Sequence, residues 1–259
     1  MEFSTLTHVH FVGIKGVGMT ALALYMKDRG VAVTGSDVID IFPTAAMLYA
    51  AGIVPRVGFD EAHIVPSIDL VVYTGAHKGS NNPEVVIAKK HAISVMSHAE
   101  ALGFVMKEHT GIAVSGSHGK TTTSAMLATV LTLGGFDPSY AIGCGSISPI
   151  GPPGHFGRGE YFVAEADEYM TDPGIDTKPR FLWQHPKHVI ITNIEFDHPD
   201  AFASVDAVRD AFEQFTKQVA VDGYIVAGAD SPQVVHLIKS LDRNVISYGK
   251  KNSGADVWY

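Results

Sequence analysis

Short apolar runs rich in branched side chains alternate with amphipathic stretches through the first hundred residues. Residues 9–13, 31–35, 70–74 and 93–96 read as strands, and residues 19–29, 44–51 and 84–91 carry helical spacing. This βαβ rhythm predicts a parallel sheet covered by helices on both faces. At 107–110 a polar break, Lys-Glu-His-Thr, precedes a new strand at 111–115, which predicts a boundary between a unit of residues 1–107 and one of residues 108–259. The second unit repeats the pattern, with strands at 111–115, 161–164, 188–192 and 224–227 and helices at 120–133, 205–219 and 232–240. Residues 143–159 are rich in Gly, Pro and Ser, and residues 169–180 are polar with two prolines; both read as loops at a sheet edge. No internal repeat is evident beyond the two similar strand, glycine loop and helix openings. The chain stops on Val257-Trp258-Tyr259, an apolar ending that reads as an interrupted strand and predicts a piece of a longer protein.

Composition narrows the class. At roughly 150 residues per domain, 259 residues predict two domains. A hydrophobic content of 46%, with 26 Gly and 13 Pro, excludes a low-complexity chain. The net charge is −8 and Lys and Arg form no block, which argues against a nucleic-acid partner and leaves small anionic ligands open. Cys144 is the sole cysteine, so no intramolecular disulfide can form. The start carries Glu2 without an apolar core, and no apolar run approaches the roughly 20 residues of a membrane span. The expected setting is the cytoplasm, without membrane insertion.

The strongest chemical signal is Gly116-Ser117-His118-Gly119-Lys120-Thr121-Thr122, between a predicted strand and a predicted helix. Glycines let backbone N–H groups converge on phosphate oxygens, Lys120 brings a cation to the β and γ phosphates, and the Thr121 hydroxyl suits Mg²⁺. The usual P-loop carries a further glycine where Val114 stands, so this is a shortened form, Gly-x-x-Gly-Lys-Thr. Two acidic clusters follow later strands: Glu165-Ala166-Asp167-Glu168 and Glu195-Phe196-Asp197-His198. In a parallel sheet the C-terminal strand ends share one edge with the P-loop, so these carboxylates and the imidazole are expected near the phosphates. Oxygen ligands suit Mg²⁺, His198 being the less usual member. Acids at strand ends are otherwise commonly solvated or cap helices.

The first unit opens with Gly13-Ile14-Lys15-Gly16-Val17-Gly18-Met19 after a strand, and Ser36-Asp37 ends the second strand. A glycine turn feeding a helix suits a diphosphate, and the acid suits a ribose hydroxyl or a base edge. The glycine order differs from the Gly-x-Gly-x-x-Gly of NAD sites, and a turn that merely packs helix on strand is the plain alternative. Thr74, Ala76 and His77 end the strand at 70–74 on the same edge, while Asn82 and Pro83 read as a helix cap.

Taken in order, His10 to Ala23, Gly35-Ser36-Asp37, Asn82-Pro83-Glu84, Gly116 to Thr123, Glu165 to Glu168 and Thr192 to Pro199 resemble the Mur ligases over nearly the whole chain. The resemblance implies a Rossmann-like N-terminal domain for a UDP-sugar, then a P-loop ATPase-like α/β central domain, then a C-terminal domain absent from this sequence. It implies ATP and Mg²⁺ as cofactors and UDP-N-acetylmuramate and L-alanine as substrates, joined through an acyl phosphate in peptidoglycan synthesis. Carried over by motif, Lys120 would polarise the γ-phosphate, Thr121 and Glu165 would bind one Mg²⁺, and Glu165 with His198 a second. Gly16, Val17 and Gly18 would face the UDP diphosphate, with Ser36 and Asp37 at the uridine end. The family's adenine-contacting His-Asn segment does not occur before Tyr259, so UDP-sugar binding without turnover is expected of these 259 residues. The alternatives are a tripeptide-adding recycling ligase of the same family, a non-catalytic nucleotide-binding module and an NAD-dependent oxidoreductase.

Overall fold

The computed structural model describes residues 3–251 and 254–259. The first unit runs β1 (His8–Val12), α1 (Val17–Asp28), β2 (Ala32–Asp37), α2 (Ala45–Ala50), β3 (Arg56–Val57), β4 (Leu70–Tyr73), α3 (Pro83–Lys90), β5 (Ser94–Ser97) and α4 (His98–Met106). Its five strands are all parallel, in the order β3-β2-β1-β4-β5. Val9, Phe11, Leu70, Val71 and Val72 are fully buried, as continuous apolar strands covered on both faces should be. Asn82 caps α3 from its side chain with Pro83 in the first turn, as expected. Helix α4 was not anticipated from apolar spacing, yet Ser97 and Glu100 close a capping box around its first turn.

The second unit runs β6 (Thr110–Ser115), α5 (Lys120–Leu133), β7 (Ser139–Ala141), β8 (Gly154–His155), β9 (Tyr161–Ala166), β10 (Met170–Asp172), β11 (Asp176–Pro179), β12 (His188–Ile191), α6 (Val205–Lys217), β13 (Tyr224–Gly228), α7 (Pro232–Ile238), β14 (Asn244–Gly249) and β15 (Val257–Trp258). Eight strands form one sheet, β15-β14-β13-β12-β6-β9-β7-β8, in which only β8 is antiparallel to its neighbour. Strand β8 lies inside a stretch read as loop, and β10 and β11 form a separate antiparallel hairpin inside the other. Among the described residues no helix is long and apolar enough to cross a membrane.

Strand order fixes where ligands can sit. In the first sheet β1 lies between β2 and β4, and in the second β6 lies between β9 and β12, so the chain departs to both sides of each. Such switch points open a crevice at the carboxyl end of the central strand. The turn after β1 is the first glycine loop, and the turn after β6 is the P-loop.

The two units share a packed interface. Tyr25 of α1 is fully buried, meets Phe156 and Phe162 edge-on at 5.7 and 5.5 Å, and shares a 3.2 Å hydrogen bond with the His109 imidazole. Gly154 is required at the crossing of β8 and α1, because a Cβ there would stand 1.9 Å from the Ala21 carbonyl oxygen. On the opposite flank the β10–β11 hairpin reaches the first unit, where the buried Asp172 carboxylate accepts the Ser80 N–H at 2.9 Å. A Cβ on Gly79, whose φ is +50°, would collide with that carboxylate at 1.9 Å.

Candidate functional site

The P-loop is held from below by the end of β12. Gly116 has φ +136°, and a Cβ there would meet the Thr192 hydroxyl at 2.1 Å, so only glycine fits. Asn193 accepts the Ser117 N–H on its carbonyl oxygen and the His118 N–H on its side chain, at 3.2 and 2.9 Å, and the Thr192 hydroxyl donates to the His118 carbonyl at 2.6 Å. Gly119, at φ +81°, then starts α5 with no side-chain cap. The opening N–H groups of a helix have no partner within it, so the first turn at Lys120, Thr121 and Thr122 offers donors of the kind that suit an anion.

Side chains converge there from three strands. Lys120 Nζ donates to Glu168 Oε2 at 2.9 Å and to the Gly116 carbonyl at 2.7 Å, and lies 3.9 Å from Asp167. The Thr121 hydroxyl donates to Glu165 Oε2 at 2.9 Å, and Glu165 Oε1 accepts the Gly143 N–H at 2.8 Å. Burial raises the Glu165 carboxyl above its ordinary value, with the Thr121 and Gly143 bonds working against it. Burial likewise raises Glu168, against the pull of Lys120. Glu168 is 2% exposed, and its Oε1 has no hydrogen-bond partner.

His198 approaches that orphaned oxygen at 3.8 Å, and ligand atoms of Asp167, Glu168 and His198 all lie within 4.8 Å of one another. His198 adopts φ +56°, uncommon for a residue with a side chain, and its ring stands 4.9 Å from Tyr169. The structure therefore joins Thr121 to Glu165, and His198 to Glu168. His118 is exposed beside Glu195, 3.5 Å away, and Thr122 is exposed on the same turn.

In the first unit Gly13 has φ +84°, and a Cβ there would strike Thr74 at 2.4 Å. Gly16 begins α1 with no side-chain cap, Val17 is half exposed, Gly18 lies against the His98 ring, and Met19 is buried in the core. Lys15 turns away from the loop mouth to donate to the carbonyls of Val38 and Asp40, both at 2.5 Å. Asp37 is buried and accepts the Lys15 and Val38 N–H groups at 2.7 and 2.8 Å, with His77 at 3.6 Å. Ser36 is also buried, and its hydroxyl donates to Glu84. Thr74 is half buried, Ala76 is exposed, and His77, at φ +53°, lies tilted against Phe59 with 5.1 Å between ring centres.

Both openings face one cleft. A cavity of about 230 Å³ is lined by Val17 and Gly18 from the first loop, by Lys120 from the second and by Glu165 from β9. A second cavity of about 220 Å³ continues along Gly16 and Thr74. His98, Ala99 and Arg180 line both. Burial, with Arg180 adding to it, drives the His98 imidazole down to about 4, so it is neutral near pH 7. Glu168 belongs to the acidic cluster expected near the phosphates, though without a role of its own there, and Asn193, His98 and Arg180 were not singled out from sequence. For Glu168 a signal existed: it ends the Glu-Ala-Asp-Glu motif, and a buried Lys120 needs a counter-charge.

Comparison with known proteins gives this arrangement a lineage. The profile described as Mur ligase family, catalytic domain, matches residues 8–110, and the one described as Mur ligase middle domain matches residues 114–259. A UDP-N-acetylmuramate–L-alanine ligase of Pelotomaculum thermopropionicum is 41% identical over 251 residues, covering 96% of this chain and 51% of that protein. Its counterpart in Acetivibrio thermocellus is 39% identical over 249 residues, 96% of this chain and 50% of that one. The chain spans about half the length of the curated relatives it matches. Among solved structures, the UDP-N-acetylmuramate:L-alanyl-gamma-D-glutamyl-meso-diaminopimelate ligase of Neisseria meningitides superposes with a TM-score of 0.83 at 30% identity, over 94% of this chain and 78% of that one. The UDP-N-acetylmuramate–alanine ligase of Thermotoga maritima superposes with a TM-score of 0.77 at 30% identity, over 94% of this chain and 53% of that one. With a profile matched to each sheet and its glycine loop, the chain belongs to the Mur ligase family.

Proposed function

We propose that residues 1–107 bind a UDP-sugar and residues 108–259 form the larger part of an ATP site, in a cytoplasmic ligase that joins L-alanine to the lactyl carboxylate of UDP-N-acetylmuramate. The observation that carries this reading is the shared cavity, where the first glycine loop, Lys120 of the P-loop and Glu165 of β9 line the same 230 Å³. Gly13, Gly16, Val17, Gly18 and Met19 form the diphosphate turn, with Asp37, Thr74, Ala76 and His77 beside it. Ser36 supports that turn from beneath, its hydroxyl bonded to Glu84 and its carbonyl accepting the Gly13 and Ile14 N–H groups at 2.9 and 3.2 Å. On the ATP side Gly116, Ser117, His118, Gly119, Lys120, Thr121 and Thr122 cradle the triphosphate.

A sugar-acid oxygen attacks the γ-phosphorus, the bond to the β-phosphate bridging oxygen breaks, and ADP leaves an acyl phosphate. The amine of L-alanine then attacks the acyl carbon, loses a proton and expels inorganic phosphate. The protein's share is positioning and charge neutralisation, which supply most of the rate in phosphoryl transfer. Lys120 is placed for the γ-phosphate, and the first turn of α5 offers N–H donors. The donor set also fits a divalent cation, because a buried Glu168 oxygen lacks a partner and the neighbouring donors are carboxylates, a hydroxyl and an imidazole. Thr121 and Glu165 on one side, and His198 with Glu168 and Asp167 on the other, would hold Mg²⁺, whose chemistry is neutralisation of phosphate charge. A purely binding module has no use for Lys120, Glu165 and His198 together.

Calorimetric titration of this chain with UDP-N-acetylmuramate is expected to give saturable binding, tighter than for UDP-N-acetylglucosamine and with none for NAD. Binding of NAD alone, or of none of the three, would overturn the donor assignment. The superposition on the Neisseria meningitides enzyme favours a second reading, in which the acceptor is a tripeptide. An acceptor panel on the complete protein decides between them: product with L-alanine and none with L-alanyl-γ-D-glutamyl-meso-diaminopimelate is the expected result.

A further inference from the structure

The two cavities of the cleft meet at Arg180. Strand β11 delivers it, the β10–β11 hairpin is anchored on the first unit through Asp172 and Ser80, and the guanidinium is therefore held between the two glycine loops. Nη1 donates to Asp167 Oδ2 at 2.9 Å, Nε donates to the Met170 carbonyl at 3.0 Å, and the guanidinium lies 5.5 Å from the Tyr169 ring centre. A guanidinium has five N–H donors in a planar fork, and two such bonds leave the rest for a ligand. The side chain is 33% exposed.

Charge placement indicates which ligand. The lining of the cavity beside the P-loop contains two cationic side chains, Lys120 and Arg180, and Lys120 is already bonded to Glu168 and the Gly116 carbonyl. The lining of the cavity beside the first loop contains Arg180 as its only Lys or Arg. The neutral His98 adds no charge to either. A donor anchored by its diphosphate at Gly16–Gly18 must bring a carboxylate toward the γ-phosphate on Lys120. Those two anions repel, and a cation at the junction removes the repulsion. A planar fork also suits the two oxygens of a carboxylate better than a point charge does.

We propose that Arg180 binds the lactyl carboxylate of the donor and thereby sets the preference for the muramate sugar over a UDP-sugar that lacks that acid. This deepens the donor assignment and rests on it. Arg180 is then a specificity-determining contact that shares the Asp167 carboxylate with Lys120, 2.9 Å from Arg180 and 3.9 Å from Lys120, and Asp167 fixes the orientation of its fork.

The test is calorimetry on this chain, wild type and variants, with UDP-N-acetylmuramate and UDP-N-acetylglucosamine in parallel. Arg180→Ala is expected to weaken the muramate ligand by about ten- to a hundredfold, the worth of a hydrogen bond to a charged group, and to leave the N-acetylglucosamine ligand unchanged. Arg180→Lys should keep part of the preference, and Arg180→Gln, which is shorter and polar with two N–H donors and no charge, should lose most of it even if the alanine variant folds poorly. Folded variants that keep the wild-type preference, or that lose both ligands equally, overturn the role of Arg180 while the donor assignment stands. A wild-type chain that binds neither ligand, or both alike, removes the donor assignment and this role with it.

Discussion

Lys120→Ala is expected to lower ATP-dependent product formation by the complete protein at least about a thousandfold, the scale seen when a preorganised charge at a reacting phosphoryl group is removed. The same change should cost stability, because Lys120 is the cation bonded to Glu168, which is 2% exposed. Leaving a buried carboxylate without its partner typically costs about 3–5 kcal/mol. Glu168 is already raised by burial, and without Lys120 it rises further. The two effects separate in a double variant. Lys120→Met with Glu168→Gln removes both charges at similar volume and should recover most of the urea midpoint while turnover stays absent. Turnover that survives Lys120→Ala would sink the assignment of this loop to ATP.

Glu84→Ala should be the most damaging single change in the first unit. Glu84 is fully buried and accepts hydrogen bonds from the His10 and His63 rings at 3.2 and 2.6 Å, from the Ser36 hydroxyl, and from the Asp60 N–H at 3.1 Å. Truncation strands several donors at once, two of them on the fully buried His10 and Ser36, for a loss of about 3 kcal/mol or more. Burial pushes the Glu84 carboxyl up, but the bonds from His10, Ser36 and His63 outweigh it and hold the group below its ordinary value. A carboxyl depressed in the folded state stabilises the fold fully above its unfolded value, near pH 4 to 5, and loses that contribution as pH falls through the folded value. Urea midpoints measured against pH should therefore drop on the acid side in the wild type and less steeply in Glu84→Gln. Equal slopes would mean that Glu84 is not the titrating group.

What the sequence made legible follows from how local each signal is. Strands such as β1 and β4 announce themselves because burial on both faces demands an unbroken apolar run, and α5 because glycines and a lysine must stand in a fixed order before it. Helix α4 is signalled by Ser97 and Glu100 rather than by its apolar spacing, so a reading based on periodicity passes over it. The β10–β11 hairpin escapes because its stability comes from across the interface. Asp172 and Thr171 pack on Ser80 and Gly75, more than ninety residues earlier, and nothing local marks them. The site divides the same way. Lys120 and Thr121 were visible as a motif, whereas Arg180 becomes meaningful only once the hairpin carries it into the cleft. The burial of Ser36 beneath Glu84 could not be read from the strand that bears it, since the acid arrives from α3.

The interface around Tyr25 has a consequence for selectivity. Aromatic side chains from both units interlock there, Gly154 lets β8 lie directly on α1, and the hairpin pins the opposite flank. Packing of this density does not yield gradually, so the separation between the turn at Gly18 and the amine of Lys120 is built into the molecule before any ligand arrives. Such a gap works as a ruler. On the donor reading proposed above, a sugar whose acid stops a carbon short of Lys120, or overshoots it, would still lodge in the cleft but would hold its oxygen out of line with the phosphorus.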